Sequence, residues 1–153
     1  MDRDPKTIFV RALDLSFPAE QEALYDLRWR VLRDPLGLAR GTERIAADFD
    51  PDAVHLGAFD AESRLVGCAT LIPAEGGIQL RAMAVDPAWQ GTGVGAAVLT
   101  SAAEVAQERE QSLWCEARAH AVGFYERSGW AVESDLFEVP RIGPHYRMRL
   151  RQG

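Results

Sequence analysis

The 153-residue chain holds only two cysteines and three histidines, and no uninterrupted apolar run approaches the roughly 18 residues of a membrane span. Two thiols cannot build a disulfide framework. Cys68 and Cys115 both sit inside apolar, strand-like runs, where a thiol is a small core residue rather than a nucleophile or bridge partner, and this points to a reducing compartment. Nothing resembling a secretory leader follows Met1-Asp2-Arg3-Asp4-Pro5, so a cytoplasmic location is expected. An excess of positive charge is missing too. With 17 Lys plus Arg against 23 Asp plus Glu, the formal charge is -6, which argues against nucleic acid or an anionic membrane as the main partner and suits a cationic substrate. Gly-Lys-Ser/Thr is absent, which weighs against a nucleoside-triphosphate loop, and no repeat or low-complexity run interrupts the chain. The length suits a single domain, 1–153, able to bury its apolar surface without a metal or a bridge; no metal site is expected.

What is present centres on residues 80–96, LRAMAVDPAWQGTGVGA. An apolar strand ends at Asp86-Pro87, and a turn rich in glycine (Gly91, Gly93, Gly95) opens a helix. The first turn of a helix carries backbone N–H groups without intrahelical partners, and the aligned peptide dipoles make that end attractive to anions. Glycines there let the backbone approach a phosphate. A second stretch, LWCEARAHAVGFYERSGW at 113–130, reads as a short strand followed by a helix that carries Tyr125 and stops at Gly129.

Around these pieces the pattern predicts a first strand over 7–13, then a helix opened by Ser16-Phe17-Pro18 and closed by Asp34-Pro35-Leu36-Gly37. Residues 38–52 fit either a short helix or a loop. Strands at 54–59 and 64–72 form a hairpin over Asp60-Ala61-Glu62-Ser63, and Gly76-Gly77 turns the chain into a third antiparallel strand, 78–85. A helix runs from Val94 to about Glu110, with Val98, Ala102 and Val105 on its apolar face. Strand 113–117, helix 119–128, one strand over 130–139 and a closing strand over 145–150 complete the order. The fold class is α/β: a mixed, mostly antiparallel sheet of about seven strands flanked by about four helices. Trp29, Trp89, Trp114 and Trp130 read as core and edge packing rather than an aromatic cage.

Gln90-x-x-Gly93-x-Gly95 and Gly123-Phe124-Tyr125-Glu126-Arg127-x-Gly129-Trp130 stand in the order and spacing of the two signature stretches of the GCN5-related N-acetyltransferase (GNAT) superfamily, which the chain resembles over about residues 54–130. Residues 114–150 resemble more narrowly its ElaA-type branch, through Ala119-His120 ahead of Phe124-Tyr125 and the late pair Pro144-His145. The resemblance implies that acetyl-CoA is the donor and an amine the acceptor. It implies that the backbone from Gln90 through Gly91, Thr92, Gly93, Val94 and Gly95 to Ala96 holds the pyrophosphate. It further implies that the strand edge at Met83, Ala84 and Val85 pairs with the pantetheine arm and polarises the thioester carbonyl, and that the next strand splays away. A homodimer is the assembly left open.

Acetyl transfer requires three things of a site: the amine must lose a proton, the carbonyl oxygen must be stabilised, and the departing thiolate should gain a proton. Tyr125 matches the family's acid. Where some relatives carry a basic Glu this chain has Gln79, whose amide cannot take a proton. Glu116 is the first substitute, followed by His120 and His145, and a chain of waters is a fourth route. Direct attack is favoured over transfer through Cys115 or Cys68. Two other readings stay open: a non-catalytic CoA-binding regulatory module, and a dinucleotide site in which Gly91-x-Gly93-x-x-Ala96 meets the pyrophosphate and Glu116 the ribose. Three antiparallel strands ahead of the motif weigh against the last.

Overall fold

Three consecutive runs rich in β-branched and aliphatic residues become β2 (Val54–Phe59), β3 (Leu65–Ala74) and β4 (Gly77–Val85), paired antiparallel in chain order. The computed structural model describes residues 7–152. The Asp60 carboxylate closes the first turn by accepting the N–H groups of Glu62 and Arg64. β1 (Phe9–Leu13) lies antiparallel on the free edge of β2, while β5 (Leu113–Arg118) runs parallel to β4 after the helical crossover. β8 (Gly143–Leu150) lies antiparallel to β5, and among the described residues the sheet has eight strands in the order β1-β2-β3-β4-β5-β8-β6, with β6 (Trp130–Val132) on the far edge of β8 and β7 (Phe137–Val139) also on β8.

Helix α1 (Pro18–Arg28) covers one face, its Pro placed where a missing N–H costs nothing. Leu24 and Leu27 pack there with Leu13, Phe59 and Cys68. Helices α2 (Val94–Glu108) and α3 (Val122–Arg127) cover the other face. Val94, Val98 and Ala102 meet Leu56, Leu71, Leu80 and Leu113, each full burial of such a side chain contributing about 1.5–3 kcal/mol.

The structure corrects the sequence reading in several places. The single strand expected over 130–139 is two, β6 (Trp130–Val132) and β7 (Phe137–Val139), both on β8. The polar residues between them break the ladder: Ser134 Oγ takes the Arg147 N–H that a strand carbonyl would accept, and the Glu133 carboxylate binds Arg147 and Arg149. There are three α-helices among the described residues rather than about four, because 38–52 is a series of turns with one 3-10 turn, Ala46–Phe49. Helix α2 stops at Glu108, and Glu110 adopts φ 54°. Helix α1 gives way to a wider π turn, Trp29–Arg33, at the end expected to be regular helix.

A buried polar network ties the 38–52 segment to the sheet. Arg28 donates to both carboxylate oxygens of Asp48 at 2.9 Å and to Thr70 Oγ1 at 2.7 Å, while His55 bridges Thr70 Oγ1 and the Asp48 carbonyl. Arg28 and Asp48 are almost fully buried, so each holds the other's charge in place of water.

Candidate active site

Strands β4 and β5 are paired only at Ile78↔Leu113, Gln79↔Trp114 and Leu80↔Cys115. Beyond that point they part. The cause is local to β4: between Thr70↔Arg81 and Cys68↔Ala84 it carries one residue more than β3, a bulge at Ala82, which sits at φ 53°. The extra residue also exchanges the faces of the strand. Ile78 and Leu80 point to the α2 side before the bulge, whereas Met83 and Val85 do so after it and Ala84 joins the α1-side core. Asp86 N–H bonds the Val66 carbonyl, so by strand alternation the polar backbone of Met83 and Val85 faces the open edge while that of Ala84 faces β3. Ala84 is therefore a wall residue rather than an edge partner.

The parting leaves a cavity of about 710 Å³. On one side the Asp86 carboxylate accepts Ala88 N–H to close the turn, and buried Trp89 anchors it. Gln90 Nε2 donates to the Val85 carbonyl at 3.1 Å, and Thr92 Oγ1 to the Trp89 carbonyl. Gly93 caps α2 at φ 95°, a conformation glycine adopts without strain, and offers no side chain to the first-turn amides of Val94, Gly95 and Ala96. Those amides are free for an anion at the positive end of a 15-residue helix. Val94 contributes backbone alone, since its side chain is buried. Gly95 has a second job: a Cβ there would lie 2.7 Å from Phe124 Cε1, so the missing side chain is what lets α2 and α3 close up.

Tyr125 reaches the cavity from α3, on the same side of the sheet as α2. Its ring packs edge-on against Phe124 and Trp130, and burial, reinforced by the Cys115 thiol, raises its pKa well above the tyrosine range, so the phenol keeps its proton. Burial also pushes the thiols of Cys115 and Cys68 up, to about 12 and about 11. Both cysteines are free and buried, as the sequence suggests.

The opposite face of the opening is different in character. Glu116 is exposed and alternates with Cys115 and Ala117, so it projects to the α1 side, with Gln79 and Arg118. His145 stands directly across from Arg118 in the β5–β8 register and is buried. Its Nδ1 lies 2.8 Å from the Gly143 carbonyl, which can only accept, so the neutral ring carries its proton on Nδ1 and leaves Nε2 as the basic nitrogen. His120 lies exposed on the turn that follows β5 and also lines the cavity. The structure thus brings Tyr125, Glu116, His120 and His145 to one cavity, with Tyr125 on one face of the sheet and Glu116 and His145 on the other.

Three arginines on that second face had no signature in the sequence. Arg33 arrives from the π turn, Arg81 from β4 just ahead of the bulge, and Arg118 from the end of β5. Single arginines in a strand or at a helix end look like solvated surface until the splay places them together. The four tryptophans behave as expected: Trp89, Trp114 and Trp130 are buried, and Trp29 lies under the Arg40 guanidinium.

Residues 21–130 match the Acetyltransferase (GNAT) family. The chain belongs to that family. It is 26% identical over 137 residues to an uncharacterized N-acetyltransferase, YitI, of Bacillus subtilis (strain 168), covering 83% of this chain and 89% of that protein. An acyl-CoA N-acyltransferase from Pseudomonas aeruginosa superposes with a TM-score of 0.81 at 21% identity, over 94% of this chain and 99% of its own. Escherichia coli ElaA does so at 0.74 and 20% identity, over 94% and 99%. These likenesses are of fold. The dinucleotide reading fails on topology, since one parallel strand pair leaves no βαβαβ half to carry it.

Proposed function

We propose that this protein moves an acetyl group from acetyl-CoA to a primary amine by direct attack, without a covalent enzyme intermediate. The observation that carries the proposal is the opening between β4 and β5, which joins the bare N-terminus of α2, a proton-holding Tyr125 and, on the opposite face, Glu116 and His145. The pocket residues fit the donor. The free amides of the first α2 turn suit its pyrophosphate, and the unpaired edge at Met83 and Val85 suits the amides of its pantetheine arm. Acetyl-CoA supplies an acyl group already activated as a thioester.

The rest is the work of the protein's own side chains. His145 Nε2 takes the proton of the ammonium, giving nitrogen the lone pair with which it bonds to the carbonyl carbon. Glu116 draws the ammonium to the same face. Bond formation leaves the nitrogen positively charged. As the carbon–sulfur bond breaks, Tyr125 O–H gives its proton to the departing sulfur, and the nitrogen's second proton returns through water to the phenolate. The proton on His145 passes to solvent, leaving amide, free thiol and protonated Tyr125. Cys115 is a poor relay because a thiol with a pKa of about 12 is scarcely ionised at neutral pH.

The test is thiol release from acetyl-CoA with Tyr125→Phe, which keeps the ring contacts and deletes the transferable proton. Turnover is expected to fall at least about tenfold, near 1.4 kcal/mol in the barrier, with acetyl-CoA affinity and melting temperature retained. Loss of stability with an unchanged rate would assign the hydroxyl to its Cys115 contact instead. Tight CoA binding without activity on any amine would make the protein a CoA-binding regulatory module.

A further inference from the structure

The chain is acidic overall, yet the cavity wall on the α1 side is not. Several arginines elsewhere have carboxylate partners within ion-pair distance: Arg28 with Asp48, Arg30 with Asp26 and Asp86, Arg64 with Asp60, Arg147 and Arg149 with Glu133. Arg33, Arg81 and Arg118 have none among the described residues. Arg33 donates to the Thr42 and Leu32 carbonyls and Arg118 to the Leu32 carbonyl, so these guanidiniums are positioned by main chain and keep their charge unneutralised. Glu43, the acid that attracts Arg33, is itself held by Gly41 N–H and Arg44.

All three line the same cavity. Burial, and after it the positive charges of Arg118, Arg28 and Arg81, holds Arg33 below the ordinary arginine range, and burial does the same to Arg118. An anion seated among them would relieve the repulsion felt by Arg33, and planar guanidiniums grip a carboxylate or phosphate with two parallel bonds. The phosphates of the donor do not answer this need, because the N-terminus of α2 lies on the other face of the sheet. Glu116 is the lone carboxylate on the cavity wall, and it stands beside Arg118 where an ammonium would approach the opening.

We propose that the acceptor is a small amine carrying its own carboxylate or phosphate, with the anion held by Arg81 and Arg118 and the ammonium directed by Glu116 to the opening between β4 and β5. This rests on the acetyl-transfer reading and deepens it. The cationic acceptor that suits the net charge is replaced by a zwitterionic one, because the local wall and not the outer surface meets the substrate.

The experiment measures thiol release with matched amines: ω-amino acids from glycine upward against their carboxamides, O-phosphoethanolamine against ethanolamine, and spermidine. At least one anionic amine should exceed its neutral partner by about tenfold in kcat/KM, chiefly through KM, as expected of a charged hydrogen-bonded contact. Arg81→Gln and Arg118→Gln should each shrink that ratio by about fivefold or more while calorimetric acetyl-CoA affinity is retained. Neutral partners or spermidine used equally well, or a ratio that survives both substitutions, would overturn the proposal. If acetyl-CoA binds but no amine reacts, the same anions are titrated into the CoA-saturated protein. Arginine-dependent binding then upholds the anion site while the transfer reading falls, and no binding overturns the site.

Discussion

Along β4 and β5 the same two strands do opposite things. Ile78–Leu80 pairs with Leu113–Cys115, and Ile78, Leu80, Leu113 and Cys115 are core; past Leu80 the strands separate and Arg81, Glu116 and Arg118 face an open cavity. A sheet edge ordinarily exposes unpaired backbone as a liability. Here one inserted residue at Ala82 makes that unpaired backbone internal to the sheet, facing a cavity instead of another protein. Arginine shows the same division on the α1 face: Arg28 is buried against Asp48, whereas Arg81 and Arg118, a strand or two away, have no carboxylate partner among the described residues. Stability and binding are therefore built from the same residue types, and the difference lies in whether the protein itself completes their interactions.

Removing a completed interaction should have the largest effect. Asp48→Ala strands the Arg28 charge, and urea unfolding should show a loss of about 3–5 kcal/mol. Burial alone would raise the Asp48 carboxyl, but Arg28 outweighs it and holds it below the carboxylate range, while burial holds His55 below the imidazole range. Both groups bind protons less readily folded than unfolded. Parent stability should thus be full above about pH 6.5 and fall as the pH drops, first through the unfolded-state imidazole and then through the carboxylates. Asp48→Ala should flatten the acidic part of that decline; an unaltered profile would show that the pair is not what holds the segment.

Within the open half, the two histidines can be separated. His145→Gln should lower turnover by about 100-fold, near 2.7 kcal/mol, with acetyl-CoA affinity retained, whereas His120→Gln should leave turnover nearly unchanged. The reverse result, or a comparable loss only in Glu116→Gln, would move the base. Smaller still is the contrast between two glycines of one loop. Gly95→Ala pushes a Cβ into Phe124 and should cost about 1–3 kcal/mol of stability, visible as a lower melting temperature. Gly93→Asp should lower the melting temperature through strain at φ 95° and, in calorimetry on the folded fraction, should also weaken CoA binding, because it places a like charge at the proposed pyrophosphate site.

Most of the fold was legible because its signals are local. Apolar alternation, the Pro18 helix start and the paired glycines of the turns each act within a few residues, and the order of elements followed from them. The misread pieces are those decided at a distance. The break between β6 and β7 depends on Arg147 and Arg149 of another strand, and the turns of 38–52 on the buried Arg28–Asp48 pair. The site divides likewise. The Gly-rich turn is a local signal and Tyr125 is marked by the resemblance to the family's second signature stretch, but the bulge at Ala82 leaves no mark in an alternating strand, and without it neither the orientation of Ala84 nor the gathering of Arg33, Arg81 and Arg118 can be foreseen.

The central claim, that the unpaired half of β4 is where the donor lies, is tested most directly by hydrogen exchange with and without acetyl-CoA. Amides at Ile78–Leu80 should be slow in both states, while peptides covering 81–96, which include Met83, Val85 and the first turn of α2, should become protected on addition of acetyl-CoA. Unchanged exchange over 81–96 at saturating acetyl-CoA, or protection that appears elsewhere instead, would contradict the account.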